Sequence, residues 1–188
     1  MINEKPQQQK IESIKSVLIE EAQNWSKIVV FVVLAMVLFN QVLMVNATIP
    51  TASMENTIMT NDRVMALRLA YIFSDPARFD IIIFRYPGDD SLPFVKRVIG
   101  LPGESVTIRN GLVFINDSEF PLRDNFVKGP VSGNHGPFLV PEDSYFVLGD
   151  NRGNSSDSRT WADPFVHRSR ILGRAIFKYY RGFALFHY

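Results

Sequence analysis

The 188-residue sequence contains no cysteine, which excludes thiol nucleophiles, thiolate metal sites and disulfides together. It has only three histidines, His135, His167 and His187, which lie far apart and form no HExxH pattern, so no metal site is expected. Neither basic nor acidic residues predominate: 20 basic and 19 acidic residues give a formal net charge of +1. The charge balance therefore gives no reason to expect a nucleic-acid partner. Hydrophobic residues make up 46% of the chain, enough for a packed core.

One long uncharged segment, residues 28–45, lies near the N-terminus. Its length is at the lower end of what crosses a hydrocarbon core of about 30 Å. Four Lys precede the segment, and no Lys or Arg follows it until Arg63. This bias predicts a cytoplasmic tail (1–27), a single transmembrane anchor (28–45) and a domain on the outer face of the cell membrane (46–188).

A cleaved secretory signal is the alternative interpretation of this segment. Val45-Asn46-Ala47 resembles the small-x-small site at which such signals are cut. The polar region before the apolar run is 27 residues long, however, and the run exceeds a usual signal core. We therefore favour an uncleaved anchor.

The remainder of the sequence consists of short β-like runs separated by Gly, Pro and Asp. Turn signals occur at Pro87-Gly88-Asp89, Leu101-Pro102-Gly103 and Asn110-Gly111, the last being a strong hairpin marker. The predicted strands are 63–70, 80–86, 94–100, 105–108, 112–115, 144–148 and 171–180. This pattern predicts a mostly β fold: an antiparallel domain with a small inserted β subdomain at about 105–143, preceded by one transmembrane helix.

Residues 49–57 contain the first residue that could do chemistry, Ser53. It lies a few residues beyond the predicted membrane exit, and Pro50 makes the start of the segment stiff. A plain turn rich in Ser and Thr, joining the anchor to the domain, is the alternative explanation.

A lysine lies within the predicted strand 94–100. Strand alternation puts Phe94, Lys96 and Val98 on one face. If that face points inward, desolvation favours the neutral amine, which is a usable base near pH 7. An edge-strand lysine pointing into water is the alternative.

The third segment, 149–159, follows an apolar strand and is dense in Gly, Asn, Asp and Ser, with two Arg. Such a loop could orient a buried amine and brace itself with internal ion pairs. An ordinary polar loop is the alternative when the segment is considered alone.

Taken together, the three segments resemble the conserved boxes of type I signal peptidases, the bacterial serine proteases with a Ser–Lys dyad. Residues 49–54 resemble the nucleophile box, and 80–84 with 94–104 resemble the lysine box. Residues 149–159 follow the pattern Gly-Asp-Asn-Arg-x-Asn-Ser-x-Asp-Ser-Arg at every specified position. Two departures occur where the family often has Gly, at Ala52 and at Phe79, and the turn at Phe79 is expected to differ.

The resemblance implies roles for individual residues. Ser53 would be the nucleophile and Lys96 the general base. The Ser53 backbone N–H and the Thr51 hydroxyl would form the oxyanion hole, and Ser155 would orient the lysine amine. Two ion pairs would be structural braces, namely Asp150 with Arg97 and Asp157 with Arg159. Five apolar residues would line the substrate pocket: Ile49, Met54, Ile58, Phe94 and Val95.

The function implied is that of a membrane-bound serine endopeptidase that removes N-terminal signal peptides from secreted preproteins after small-x-small motifs. It needs no cofactor, and its partners would be preproteins and the lipid bilayer, close to the secretion translocon. Two alternatives remain. A relative of the self-cleaving SOS repressors would carry a DNA-binding domain instead of a membrane span. A non-catalytic, membrane-tethered binding domain would not need Ser53, Lys96 and Ser155 together.

Overall fold

The computed structural model describes residues 5–127 and 131–186 of the chain, so His187 lies outside the described residues. The chain divides into two compact units, one reaching to Val42 and the other beginning at Leu43. The first unit is helical, and the second is built almost entirely of β-strands.

Helix α1 spans Lys5–Leu43, and its part Val17–Leu43 is long and apolar enough to cross a membrane. The predicted anchor, 28–45, extends two residues beyond the end of this helix. Met44 and Val45 instead begin the first strand, in which Val45 packs against the core of the second unit. The apolar run thus continues from one element into the next, and hydropathy alone does not mark the boundary.

The strands that follow are β1 (Met44–Thr48), β2 (Arg63–Leu67), β3 (Ile81–Tyr86), β4 (Asp89–Gly100), β5 (Ser105–Arg109), β6 (Leu112–Ile115), β7 (His135–Leu139), β8 (Ser144–Leu148), β9 (Phe165–His167), β10 (Ile171–Lys178) and β11 (Ala184–Leu185). Four of them, β1, β7, β9 and β11, lie outside the predicted strands.

The strands form two antiparallel sheets. The larger has the order β1-β2-β10-β3-β4-β8-β9, with β11 paired to β10, and the smaller has the order β6-β5-β7. The prediction of a mostly antiparallel β fold is therefore confirmed. The smaller sheet lies within the region predicted as an inserted subdomain, 105–143, while the exact limits of that subdomain stay a prediction.

Two tight hairpins set the register of the central strands. Strands β3 and β4 are joined at Tyr86, which pairs with Asp89. Strands β5 and β6 are joined by Asn110 and Gly111, with φ angles of 49° and 79°. Both residues are in the left-handed region that a two-residue hairpin turn requires, as the Asn-Gly signal predicts.

Apolar side chains cover both faces of the β3–β4 hairpin. Ile81, Ile83 and Val95 belong to one core cluster. Ile82 and, on β4, Val98 belong to another. Because both faces are buried, any polar side chain in the middle of β4 is enclosed by the core.

Candidate active site

Ser53 lies in a short 3-10 helix, Ala52–Met54, that follows β1. The residue is buried, with 6% of its surface exposed. The loop 149–159, which follows β8, holds this segment through Asn151. The Asn151 backbone N–H donates to Ser53 O, and its side-chain amide donates to Ala52 O, each over 3.1 Å. One residue of the loop therefore fixes the backbone that presents the Ser53 hydroxyl.

Gly149 begins this loop at a point where no side chain fits. A Cβ atom on Gly149 would lie 2.4 Å from Ser53 O and 2.2 Å from Ser155 Oγ. Glycine is required here because the loop backbone approaches the Ser53 segment so closely. The first Gly of the 149–159 motif thus has a direct physical role at the site.

Lys96 extends from the middle of β4 and meets the Ser53 hydroxyl. Lys96 Nζ donates to Ser53 Oγ over 2.6 Å, and only 3% of Lys96 is exposed. Strand β4 lies between β3 and β8, so the alternative of a lysine on an edge strand does not hold. Strand alternation left open whether the face shared by Phe94, Lys96 and Val98 points inward, and the structure buries both Lys96 and Val98.

The surroundings of the Lys96 amine favour its neutral form. Burial lowers the pKa of Lys96 from 10.5 to about 8, and the carboxylates of Asp157 and Asp150 partly oppose this shift. About a tenth of an amine with such a pKa is uncharged at pH 7. Because only the uncharged form can accept a proton, Lys96 is poised to take the proton of the hydroxyl that it contacts.

Two bidentate ion pairs involve the 149–159 loop. One joins the loop to β4, and the other lies within the loop. Arg97 Nε and Nη2 donate to the two carboxylate oxygens of Asp150 over 2.8 and 2.6 Å. Thr57 Oγ1 also donates to Asp150 Oδ2, over 2.5 Å. Arg159 Nε and Nη2 donate to Asp157 over 2.8 and 2.9 Å. These are the two pairs that the resemblance implied, and their role as braces stays a prediction.

Arg152 forms a third ion pair, which sequence reasoning missed. Arg152 Nη2 lies 2.8 Å from Asp124 Oδ2, and Arg152 Nε donates to Gly149 O over 3.2 Å. Burial lowers the pKa of the Arg152 guanidinium, and Asp124 partly opposes the shift. Nearby, the Phe126 ring lies 4.0 Å from the Arg97 guanidinium. The segment between β6 and β7 is thereby attached to the active-site loop, and no local sequence pattern signals this contact.

A cleft of about 460 Å³ opens at Ser53 and Lys96. Its other lining residues come from the segment before Ser53, from β4 and from the 149–159 loop. They are Thr48, Pro50, Thr51, Ala52, Leu92, Pro93, Phe94, Asn154 and Ser156. Most of these carry apolar or small side chains, so the cleft suits a short, uncharged stretch of chain.

The five predicted pocket residues divide into two groups. Phe94 lines the cleft. Ile49, Met54, Ile58 and Val95 are packed together in one core cluster, with at most 8% of their surface exposed. A substrate contact stays a prediction for all five, and the plain packing role is already evident for the four core residues.

Two hydroxyl groups with predicted roles lie close to the dyad segment. Thr51 Oγ1 is 3.3 Å from Ser53 Oγ, so the predicted oxyanion donor lies beside the predicted nucleophile. Ser155 Oγ is buried and makes no hydrogen bond with the residues that the structure describes. A buried hydroxyl without a partner costs about 1–3 kcal/mol, which calls for an explanation. The predicted bond between Ser155 and the lysine amine stays a prediction.

Phe79 has a backbone conformation that is unusual for its residue type. Its φ angle is 75°, in the left-handed region that glycine adopts most easily. The expected difference from a turn built on glycine stays a prediction. The Phe79 carbonyl accepts from Arg97 Nη1 over 2.9 Å, and its ring packs edge-on against Phe126 at 5.4 Å. These contacts help to hold a backbone conformation that is unfavourable for phenylalanine.

Within residues 5–127 and 131–186, no group of three or more His, Asp or Glu is placed to hold a metal ion.

Comparison with known proteins places this geometry in context. Residues 22–180 match the family model described as signal peptidase, peptidase S26. A signal peptidase I of Leptolyngbya laminosa is 44% identical over 140 residues, which cover 70% of this chain and 66% of the relative. A probable signal peptidase I-2 of Synechocystis sp. is 40% identical over 139 residues, covering 70% of this chain and 61% of that protein.

The chain thus spans somewhat less than two thirds of the length of these two curated relatives. A solved signal peptidase I structure from Enterococcus faecalis V583 is 33% identical, with a TM-score of 0.41. That match covers 54% of this chain and 97% of the solved chain.

Proposed function

Because the chain belongs to the signal peptidase family, peptidase S26, we propose that it is a serine endopeptidase that removes N-terminal signal peptides from secreted preproteins. Ser53 is the nucleophile and Lys96 the general base. The observation that carries the proposal is the buried contact of 2.6 Å between Lys96 Nζ and Ser53 Oγ. A hydroxyl becomes a strong nucleophile when a base within hydrogen-bond reach takes its proton.

The reaction follows from this pair. The neutral Lys96 amine accepts the Ser53 proton while Oγ forms a bond to the carbonyl carbon of the scissile peptide. The resulting ammonium then returns a proton to the leaving amine, the C–N bond breaks, and an acyl-enzyme remains. Lys96 next takes a proton from water as the water oxygen bonds to the ester carbon. The C–Oγ bond then breaks, and the Lys96 ammonium returns its proton to Ser53 Oγ, which releases the carboxylic acid product.

Negative charge develops on the carbonyl oxygen during both steps, and two donors are proposed to stabilise it. They are the Ser53 backbone N–H and the Thr51 hydroxyl, which lies 3.3 Å from Ser53 Oγ. Removal of one such donor typically costs a factor of about 100 to 1,000 in rate. Ser155 is proposed to orient the Lys96 amine, because its buried hydroxyl has no hydrogen-bond partner within 5–127 and 131–186.

The substrate class is a chain segment with small side chains before the scissile bond, such as Ala-x-Ala. The cleft has a volume of about 460 Å³. Phe94, Leu92 and Pro93 give it an apolar wall from β4. A site of this kind accepts small apolar side chains and excludes larger ones by steric overlap.

The proposed location is a membrane, with α1 as a single anchor. Residues Val17–Leu43 have the length and composition for a span. The four Lys before residue 28, with no basic residue after the span until Arg63, favour a cytoplasmic N-terminus and a catalytic domain on the outer face, close to the secretion translocon. Tethering to the bilayer raises the effective concentration of the enzyme near membrane-bound substrates.

The test is cleavage of a preprotein with an Ala-x-Ala site by the full-length chain in detergent micelles. Ser53→Ala and Lys96→Met should each reduce cleavage to background while keeping the far-UV circular dichroism of the wild type. Matched controls are Ser144→Ala, at another buried serine in β8, and Lys178→Met, at a lysine paired with Asp62. Both controls should still cleave.

Two results would contradict the proposal. Near-normal cleavage by Lys96→Met would show that another group takes the proton. Binding of the preprotein without cleavage by the wild type would instead favour the non-catalytic binding domain.

A further inference from the structure

Four aromatic rings form a cluster on one face of the β3–β4 hairpin: Phe84, Tyr86, Phe94 and Trp161. Phe84 and Phe94 are direct cross-strand partners, and Tyr86 stacks on Phe94 at 4.8 Å. Trp161 contacts all three of the other rings, with centroid distances of 6.0, 5.2 and 5.9 Å to Phe84, Tyr86 and Phe94. Offset and edge-on contacts of this kind each add to the stability of a packed cluster.

Phe94 links this cluster to the catalytic cleft. It lines the cleft together with Ser53 and Lys96, and Lys96 Nζ lies 5.4 Å from the centre of its ring. Because Trp161 packs edge-on against the Phe94 ring, the position of this cleft wall depends on Trp161.

Trp161 also reaches a second wall of the cleft. Its indole N–H donates to Ser156 Oγ over 3.1 Å. Ser156 lines the cleft from the 149–159 loop, whereas Phe94 lines it from β4. Trp161 itself is buried, with 8% of its surface exposed, and it is not one of the residues that line the cleft. One buried side chain thus contacts lining residues from two different elements.

We propose that Trp161 is a positioning residue that sets the width of the substrate cleft, by holding Ser156 on the loop at a fixed separation from Phe94 on β4. The inference rests on the proposed function and deepens it, because it names what determines the selection of small side chains. Selection by size requires a rigid boundary, and a wall that can retreat admits a larger residue. Discrimination by one or two methylene groups is typically about 10- to 200-fold, so a small displacement is measurable.

The experiment compares two preproteins that differ only at the residue before the scissile bond, Ala in one and Val in the other. The full-length chain in detergent micelles is assayed as wild type, Trp161→Phe, Ser156→Ala and the double variant. Trp161→Phe keeps an aromatic ring and removes the N–H donor, while Ser156→Ala removes the acceptor. The readout is the ratio of kcat/KM for the Ala substrate to that for the Val substrate.

Trp161→Phe should lower this ratio by roughly three- to tenfold, which is part of the discrimination of about 10- to 200-fold that a rigid wall allows. Ser156→Ala should lower it by a similar factor, and the double variant by no more than either single variant, since both remove the same bond. Val166→Ala is the stability control, because Val166 lies in the same core cluster as Trp161 and outside the cleft lining. It should lower the melting temperature and leave the ratio unchanged.

The inference is overturned if Trp161→Phe keeps the wild-type ratio, if the two single effects multiply in the double variant, or if Val166→Ala shifts the ratio as much as Trp161→Phe does. These outcomes are distinct from a failure of the proposed function, in which the wild type would cleave neither preprotein.

Discussion

Replacing Lys96 by methionine should stabilise the folded protein near neutral pH while abolishing cleavage. Methionine has a similar length, is apolar and carries no proton. In the wild type, the amine is enclosed by the core with 3% of the residue exposed, and the pKa of Lys96 falls from 10.5 to about 8. One pKa unit corresponds to about 1.4 kcal/mol, so keeping this group charged in the folded state costs about 3 kcal/mol.

The pH dependence of this cost has a definite sign. The folded state has the lower pKa, so between about pH 8 and pH 10.5 the unfolded chain binds more protons at Lys96 than the folded one. Stability therefore rises with pH across this window. Below about pH 8 the amine is protonated in both states, and the full cost applies. The advantage of Lys96→Met should accordingly be about 3 kcal/mol at pH 7 and should shrink by about 2 kcal/mol by pH 10.

Urea unfolding of the full-length chain in micelles, followed by tryptophan fluorescence at pH 7 and pH 10, measures this difference. Lys178→Met is the matched control, because Lys178 forms an ion pair with the buried Asp62 at 3.0 Å and its loss should not stabilise the fold. The reasoning is refuted if Lys96→Met is no more stable than the wild type at pH 7. It is refuted equally if the gain is the same at both pH values.

Three further predictions address the proton, the loop and the strained turn. First, kcat/KM should rise about tenfold per pH unit up to about pH 8 and then level off, because Lys96 must lose its proton to act as a base. Initial rates from pH 6 to 9.5 test this prediction, and a midpoint of the rise below pH 6.5 would contradict it. Second, Asp124→Asn should destabilise the protein by about 3 kcal/mol in urea unfolding and reduce activity, because it leaves the buried Arg152 without its carboxylate. The exposed Asp117, changed to Asn as a control, should have an effect below about 0.5 kcal/mol. Third, Phe79→Gly should be more stable than Phe79→Ala by about 1 kcal/mol in the same assay, because only glycine adopts a φ of 75° without steric strain. The usual order, with the alanine variant more stable, would argue against strain at this turn.

The central part of the site could be predicted because it depends on local rules. Strand alternation around Lys96 indicated which face of the strand the amine shares with Phe94 and Val98, and the structure places all three as the pattern indicated. The Asn110-Gly111 signal likewise predicted a hairpin, since few other dipeptides tolerate two consecutive positive φ angles. In both cases the local structure is determined by residues that are neighbours in the sequence.

Strands that depend on distant partners could not be predicted in the same way. Strand β7 contains Gly136 and Pro137, which count against a strand, yet it is held at an edge by pairing with β5. Strand β9, Phe165–His167, is too short to show a period. Strand β1 lies within an apolar run that begins in the helix, so its two-residue alternation is masked by the hydropathy of its neighbours.

The distinction between features set by neighbouring residues and features set by distant partners applies within the active site too. A family resemblance alone therefore does not predict the shape of the cleft. Motifs identify the groups that react, because a hydroxyl or an amine is defined by its own residue type. The walls of the cleft, in contrast, are held by contacts such as those of Trp161 with Phe94 and Ser156, which join parts of the chain remote in sequence. A change at Trp161 could therefore leave every motif intact and still alter which side chains the cleft accepts. If Trp161 sets the width of the cleft as proposed, selectivity in this protein is a property of the packing behind the cleft as much as of the residues that line it.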